Sequence, residues 1–282
     1  MKTVRHALAF LLSLLLFLSC FAPAAFAQND PLHYVVLGDS IAAGSGIRNA
    51  GDACYGRIVA NTNGYTYQNF GHDGHRTRDL LGRLDRSDVK DAVRRADIIS
   101  ISIGGNDFFQ SNPVGLVFEV TFRQFSRINS IANEMRSNFV GIMDKIKAYN
   151  PHAVILMQTL YNPGTVLRLQ IKEATNRVND MIYDYLREHP GAFEIVDIAG
   201  AFGSDVSLIA VDTIHPNAKG NEKIAKVILQ KLHDLGLGTR TDPVIVTKGI
   251  NELELDFSAV RGWFSTLSRF FSRMFRAPVR AA

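Results

Sequence analysis

Four short segments of the chain carry residue types that together can perform acyl transfer. The first, Val35-Val36-Leu37-Gly38-Asp39-Ser40, is an apolar run ending on a serine. A serine hydroxyl is a weak nucleophile until a neighbouring base takes its proton. The fourth, Asp212-Thr213-Ile214-His215-Pro216-Asn217, offers that base. Histidine accepts a proton near neutral pH, and a carboxylate three residues earlier can fold back onto one ring nitrogen while the other faces the serine. Between them, Asn69-Phe70-Gly71-His72-Asp73-Gly74 brings glycines whose bare backbone lets an N–H approach a ligand. Gly104-Gly105-Asn106-Asp107 brings an amide able to donate to a developing oxyanion. Such a donor contributes about 3 kcal/mol where it has been tested. Each segment has a plain alternative. Asp39 or Ser40 can cap a helix, the glycine segments can be ordinary turns, and Asp-x-x-His can be surface polarity or a helix start.

Elements that would position these residues are visible around them. His33–Leu37, Ile98–Ile103, Ala153–Gln158 and Phe193–Asp197 are continuous apolar runs, as strands buried on both faces of a parallel sheet are. A weaker run, Tyr65–Asn69, is a further candidate strand. Helical patterns occupy Tyr55–Asn61, Arg76–Leu84, roughly Leu116–Tyr149, Val166–Glu188 and Ala218–Leu235. The alternation predicts an α/β fold with a central parallel sheet and helices on both faces. Three of the four segments directly follow a strand, where ligands bind in open sheets. The stretch from Ser111 to Met135 exceeds the needs of a crossover, and Phe118, Phe122 and Phe125 fall near one helical face. Core packing is the expected role of these rings; a cap lining an acyl-chain pocket is the alternative.

In this order and setting the segments resemble the GDSL lipase/esterase family, also called SGNH hydrolases. The resemblance rests on Gly38-Asp39-Ser40, Gly74, Gly104-Gly105-Asn106-Asp107 and Asp212-x-x-His215-Pro216, and spans about residues 32–236. It implies a three-layer α/β/α, flavodoxin-like fold and carboxylic ester hydrolysis. It implies Ser40 as nucleophile, His215 as base and then acid, and Asp212 as its orienter. The oxyanion hole would be the backbone N–H groups of Ser40 and Gly74 and the side chain of Asn106. Gly74 is preferred to Gly71 because the family's glycine stands five residues after the asparagine, here Asn69. The family requires no metal or organic cofactor. His72, Asp73, His75 and Arg76 depart from its commonest form; the His-x-x-His pair lacks a third ligand at sensible spacing, so no metal is expected. A non-catalytic ligand-binding module on the same fold is the alternative of another class.

The ends of the chain differ from its body. Lys2 and Arg5 precede an apolar run from Ala7 to about Phe21, then Ala25-Phe26-Ala27, which reads as a signal peptide cleaved after Ala27 and predicts secretion. A membrane anchor is the alternative; Cys20 lies in a poor lipoprotein context. Removal of the leader leaves Cys54 as the sole cysteine, so the fold must stand without an internal disulfide. Residues 28–238 form the expected hydrolase domain. Residues 239–282 read as a connector and a basic amphipathic helix, with Trp263, Phe264, Leu267, Phe270, Phe271, Met274 and Phe275 at helical spacing among arginines. Such a helix fits either peripheral contact with an anionic membrane or docking on the domain.

Without the basic residues of the two ends, the body of this 282-residue chain is mildly acidic, about −3 against +4 overall, so the pI of 9.1 is no argument for nucleic acid. A monomer acting on lipid or other acyl esters is expected. The runner-up, a polysaccharide or cell-wall O-deacetylase, would line its site with more Trp and Tyr, whereas the only Trp lies in the tail.

Overall fold

The computed structural model describes residues 30–246 except 112 and 165–167. The expected signal peptide and the tail beyond Val246 lie outside the described residues. Five strands, β1 (His33–Gly38), β2 (Thr66–Gly71), β3 (Ile98–Ser102), β4 (Val154–Gln158) and β5 (Glu194–Val196), form one sheet in the order β2-β1-β3-β4-β5, all parallel. That order is the flavodoxin-like one, with its switch point beside β1, where the strand order reverses.

Side chains alternate across the sheet as the pleat requires. Val35, Leu37, Ile99, Ile101, Ile155 and Met157 enter one core; Tyr34, Val36, Ile98 and Leu156 enter the other. The helices, in chain order, are α1 (Ser40–Ala43), α2 (Ala50–Ala53), α3 (Tyr55–Asn63), α4 (Thr77–Arg83), α5 (Ser87–Arg95), α6 (Gly105–Ser111), α7 (Pro113–Phe122), α8 (Ser126–Tyr149), α9 (Arg168–Glu188), α10 (Ile198–Phe202) and α11 (Ala218–Asp234). Leu80 of α4, Val89 of α5, Phe139 of α8 and Val178 of α9 fill the first core, while Ile58 of α3, Phe202 of α10 and Ile228 of α11 fill the second. The result is the expected three-layer α/β/α arrangement. Helix α11 shows why such segments fold where they do. Asn217 caps its start by accepting from Gly220 N at 3.0 Å, and Ile224, Ala225, Ile228, Leu229 and Leu232 bury one face.

The single helix expected over Leu116–Tyr149 is two. The chain turns at Arg123, whose φ is +55°, and the Glu119 carboxylate accepts from the Arg127 and Ile128 amides at 3.1 and 2.9 Å. A side chain of α7 thereby satisfies the open first turn of α8, which is why the helix restarts there. Core packing also fails for two of the three phenylalanines. Phe118 and Phe122 are 53% and 59% exposed with ring centroids 4.5 Å apart, and only Phe125 packs against the core. Helix α5 escaped the sequence pattern because only Val89, Ala92 and Val93 are buried among its charges. Strand β5 stops before Asp197, whose carboxylate instead caps α10 by accepting from Gly200 N.

The connector runs back along the amino edge of the sheet. Asn63 Oδ1 accepts from the Thr239 and Arg240 amides, Thr62 Oγ1 accepts from Val244 N, and Tyr65 donates its hydroxyl to the Leu237 carbonyl.

Candidate active site

β1 ends where its neighbours leave no room for a side chain. At Gly38, φ is +138° and an added Cβ would sit 1.9 Å from the Ser102 carbonyl oxygen of β3. Only glycine allows that approach, and it turns the chain so that Asp39 N donates to Ser102 O at 3.0 Å. Asp39 then caps α1, its carboxylate accepting from Ile41 N at 3.0 Å. Ser40 is the first residue of that helix and stands nearly buried at the carboxyl edge of the sheet.

Asp212 organises the loop before α11. Its Oδ1 accepts from the Ile214 and His215 amides at 3.0 and 2.9 Å, and its Oδ2 lies 2.7 Å from His215 Nδ1. The turn passes through Thr213 at φ +69°, a conformation that a β-branched residue adopts only when its surroundings impose it. Those surroundings are the Ala210 N to His215 O bond and the Tyr161 hydroxyl donating to Ile214 O. The other ring nitrogen, His215 Nε2, lies 2.7 Å from Ser40 Oγ. The chain thus joins two residues 175 positions apart in one Ser-His-Asp row.

Charge in this row is set locally. Burial pushes the Asp212 carboxyl up, but the His215 ring and the two loop amides outweigh it and hold the group below its ordinary value. Asp39 is different. Burial raises it to about 7, against the lowering pull of the Ile41 amide and of His215. A carboxylate next to the serine therefore gains its charge only around neutral pH.

Gly74, just past β2, and Asn106, just past β3, come together beyond the end of β1, which lies between those strands. Gly74 has φ +75°, and its carbonyl accepts from Gln110 Nε2 at 2.6 Å. Asn106 uses one amide hydrogen on the His75 carbonyl at 3.0 Å, leaving the second for a ligand. Their loop reaches the serine segment through His72 N donating to Gly38 O, Asn69 Nδ2 to Ala42 O and Ser45 Oγ to Asp73 Oδ1. Ser40, Asp212 and His215 are thus directly bonded, whereas Gly74 and Asn106 are tied to each other and to the serine segment through these neighbours.

Ser45, Gln110 and Thr77, which no motif singled out, also hold this loop, Thr77 by donating its amide and hydroxyl to the Asp107 carboxylate. Asn69 and Asp107 stood in the motifs, but only as neighbours of the candidate donors Gly74 and Asn106. His72 and His75 stack with ring centroids 4.3 Å apart. Burial, then the charges of His72 and Arg83, lower the His75 imidazole and favour its neutral form. Among the described residues no group of three or more His, Cys, Asp or Glu side chains could hold a metal ion.

A helix-flanked sheet with a serine, a histidine and a carboxylate in hydrogen-bonded sequence is equipped to open an ester. Known proteins point the same way. The chain is 26% identical to YpmR of Bacillus subtilis over 175 residues, 60% of this chain and 67% of that one. It is 24% identical to the spore germination lipase LipC of Bacillus licheniformis, over 60% of this chain and 77% of the other. The crystal structure of the lipase Lip_vut3 from a goat rumen metagenome superposes with a TM-score of 0.58 at 22% identity, covering 73% of this chain and 98% of that one. Residues 36–223, more than half of the sequence, match the model of one family. The chain belongs to the GDSL-like lipase/acylhydrolase family and is a carboxylic ester hydrolase.

Proposed function

We propose that the protein is a secreted serine esterase that cleaves lipid or other acyl esters through an acyl-enzyme, with Ser40, His215 and Asp212 as its triad. The observation that carries this reading is the pair of 2.7 Å contacts on the two nitrogens of His215. With Asp212 accepting at Nδ1, the ring presents an unprotonated Nε2 to Ser40 Oγ. As Ser40 attacks the ester carbonyl, its proton passes to Nε2, and the imidazolium is stabilised by an Asp212 carboxylate held in its ionised form. Negative charge on the former carbonyl oxygen would be met by the Ser40 and Gly74 amides and the second Asn106 hydrogen. His215 then returns the proton to the leaving alcohol, and water repeats the sequence to release the acid.

The lipid reading is supported by LipC, a relative itself called a lipase, and an apolar surface is offered by the exposed Phe118–Phe122 pair of α7. Secretion rests on the leader ending at Ala27; a mature protein starting at Gln28 in the medium of a producing culture is the expected result, and retention of residues 1–27 would refute it. For catalysis, a fluorophosphonate should label Ser40 in the folded enzyme, and Ser40→Ala should lose both labelling and turnover. Unchanged turnover in Ser40→Ala would overturn the reading. A chain-length series of chromogenic esters, run beside acetylated xylan, separates acyl-lipid hydrolysis from the deacetylase alternative.

A further inference from the structure

Asn106 and Asp107 are consecutive, yet their side chains grip one loop at two points. Asn106 donates to the His75 carbonyl at 3.0 Å. Asp107 accepts from the Thr77 amide at 3.0 Å and from the Thr77 hydroxyl at 2.6 Å. That hydroxyl, its own proton given to Asp107, accepts in turn from Asn138 Nδ2 at 3.2 Å. The row runs from α8 through the first residue of α4 into α6. Thr77 is fully buried and Asp107 nearly so, so neither can replace its partner with bulk water. A buried amide left without an acceptor is costly, and the loop would shift to relieve it.

The consequence for the site follows from the Asn106 amide, which is planar. One of its hydrogens is committed to His75 O, so the direction of the other depends on where that carbonyl sits. His75 lies one residue after Gly74 and two before Thr77. We infer that Asp107 is a positioning residue of the oxyanion hole: through Thr77 it holds the Gly74–His75 segment in register with the Asn106 amide. The inference rests on the roles given to Ser40, Gly74 and Asn106 above. Asp107 touches no reacting atom. Its effect passes through the backbone it anchors, and a displacement of about 1 Å at a catalytic donor costs about 10²-fold in rate.

The test is a double-mutant cycle on the full chain, with kcat and KM for a chromogenic ester and the rate of fluorophosphonate labelling at Ser40 as readouts. Asp107→Asn keeps the size and removes the carboxylate. Thr77→Val removes the hydroxyl at equal size, and Thr77→Ser restores it. Asp107→Asn and Thr77→Val should lower kcat about 10- to 100-fold with KM within about twofold, while Thr77→Ser stays within about threefold of the parent. In an Asn106→Ala background, Asp107→Asn should cost clearly less than in the parent, because the Asn106 donor it positions is gone and only the Gly74 amide is left to be displaced. An unchanged kcat, or the same loss with and without Asn106, would overturn the inference. Should Asp107→Asn fail to fold by circular dichroism, Thr77→Val and its Asn106→Ala combination decide the matter. If Ser40→Ala stays active, the reading of the whole site falls; if Ser40→Ala is dead and both loop variants behave as the parent, only the positioning role falls.

Discussion

Replacing Asp39 by Asn should stabilise the protein, and by an amount that grows with pH. Asp39 is 3% exposed and its carboxyl is raised from 3.8 to about 7, chiefly by burial. Between those values the folded protein binds a proton that the unfolded chain has released, so wild-type stability falls as pH rises. At 1.36 kcal/mol per pH unit, carrying the charged group above pH 7 costs the fold about 4 kcal/mol. Asparagine keeps an oxygen to accept from Ile41 N and therefore keeps the helix cap, but it has no charge to desolvate. The two proteins should match near pH 4 and diverge to about 4 kcal/mol by pH 8. Other groups, including the Asp107 carboxyl raised to about 6 by burial, are present in both and cancel. Urea unfolding followed by far-ultraviolet circular dichroism at pH 4 to 8 measures the difference directly. A difference that stays flat with pH, or an Asn variant less stable at pH 8, would refute the reasoning.

Three further outcomes are expected. Asp212→Asn should reduce kcat by about 10³- to 10⁴-fold at nearly constant KM, because an amide donating to Nδ1 leaves Nε2 protonated and unable to take the serine proton; steady-state ester hydrolysis reads it. Gly74→Ala should destabilise by about 1–2 kcal/mol, since φ there is +75°, and should lower kcat as well; denaturant midpoints and kinetics together check both parts. Asn150→Ala should cost about 2–3 kcal/mol of stability and leave kcat unchanged. Buried Asn150 donates to the Val93 and Ala96 carbonyls and accepts from the His152 and Ala153 amides, in a corner between α5, α8 and β4.

What the sequence revealed followed the strength of each local signal. The strands were legible because both faces of the sheet are buried, which makes β1 and β4 almost wholly apolar and leaves β3 with isoleucines interrupted only by the buried Ser100 and Ser102. Helix α11 was legible from its apolar period. The proposed Ser40, His215 and Asp212 row was legible because Gly-Asp-Ser closes an apolar strand and Asp-x-x-His stands just before the last helix. The break at Arg123 was not, because the carboxylate that restarts α8 comes from Glu119 in the preceding helix, and such a contact has no period. Phe118 and Phe122 misled for a related reason: helical spacing tells which residues share a face, not whether anything covers it. The Thr77–Asp107 pair joins positions 30 apart and exists only once α4 and α6 lie side by side.

The connector gives the enzyme a front and a back. Residues 239–246 are stitched to Thr62 and Asn63, where β2 is about to begin, while Ser40 and His215 open at the strands' other ends. A bead, a fusion partner or a surface joined directly at Val246 therefore attaches at the rear of the described domain. Ser40 and His215 then face away from the point of attachment, at the opposite ends of the strands.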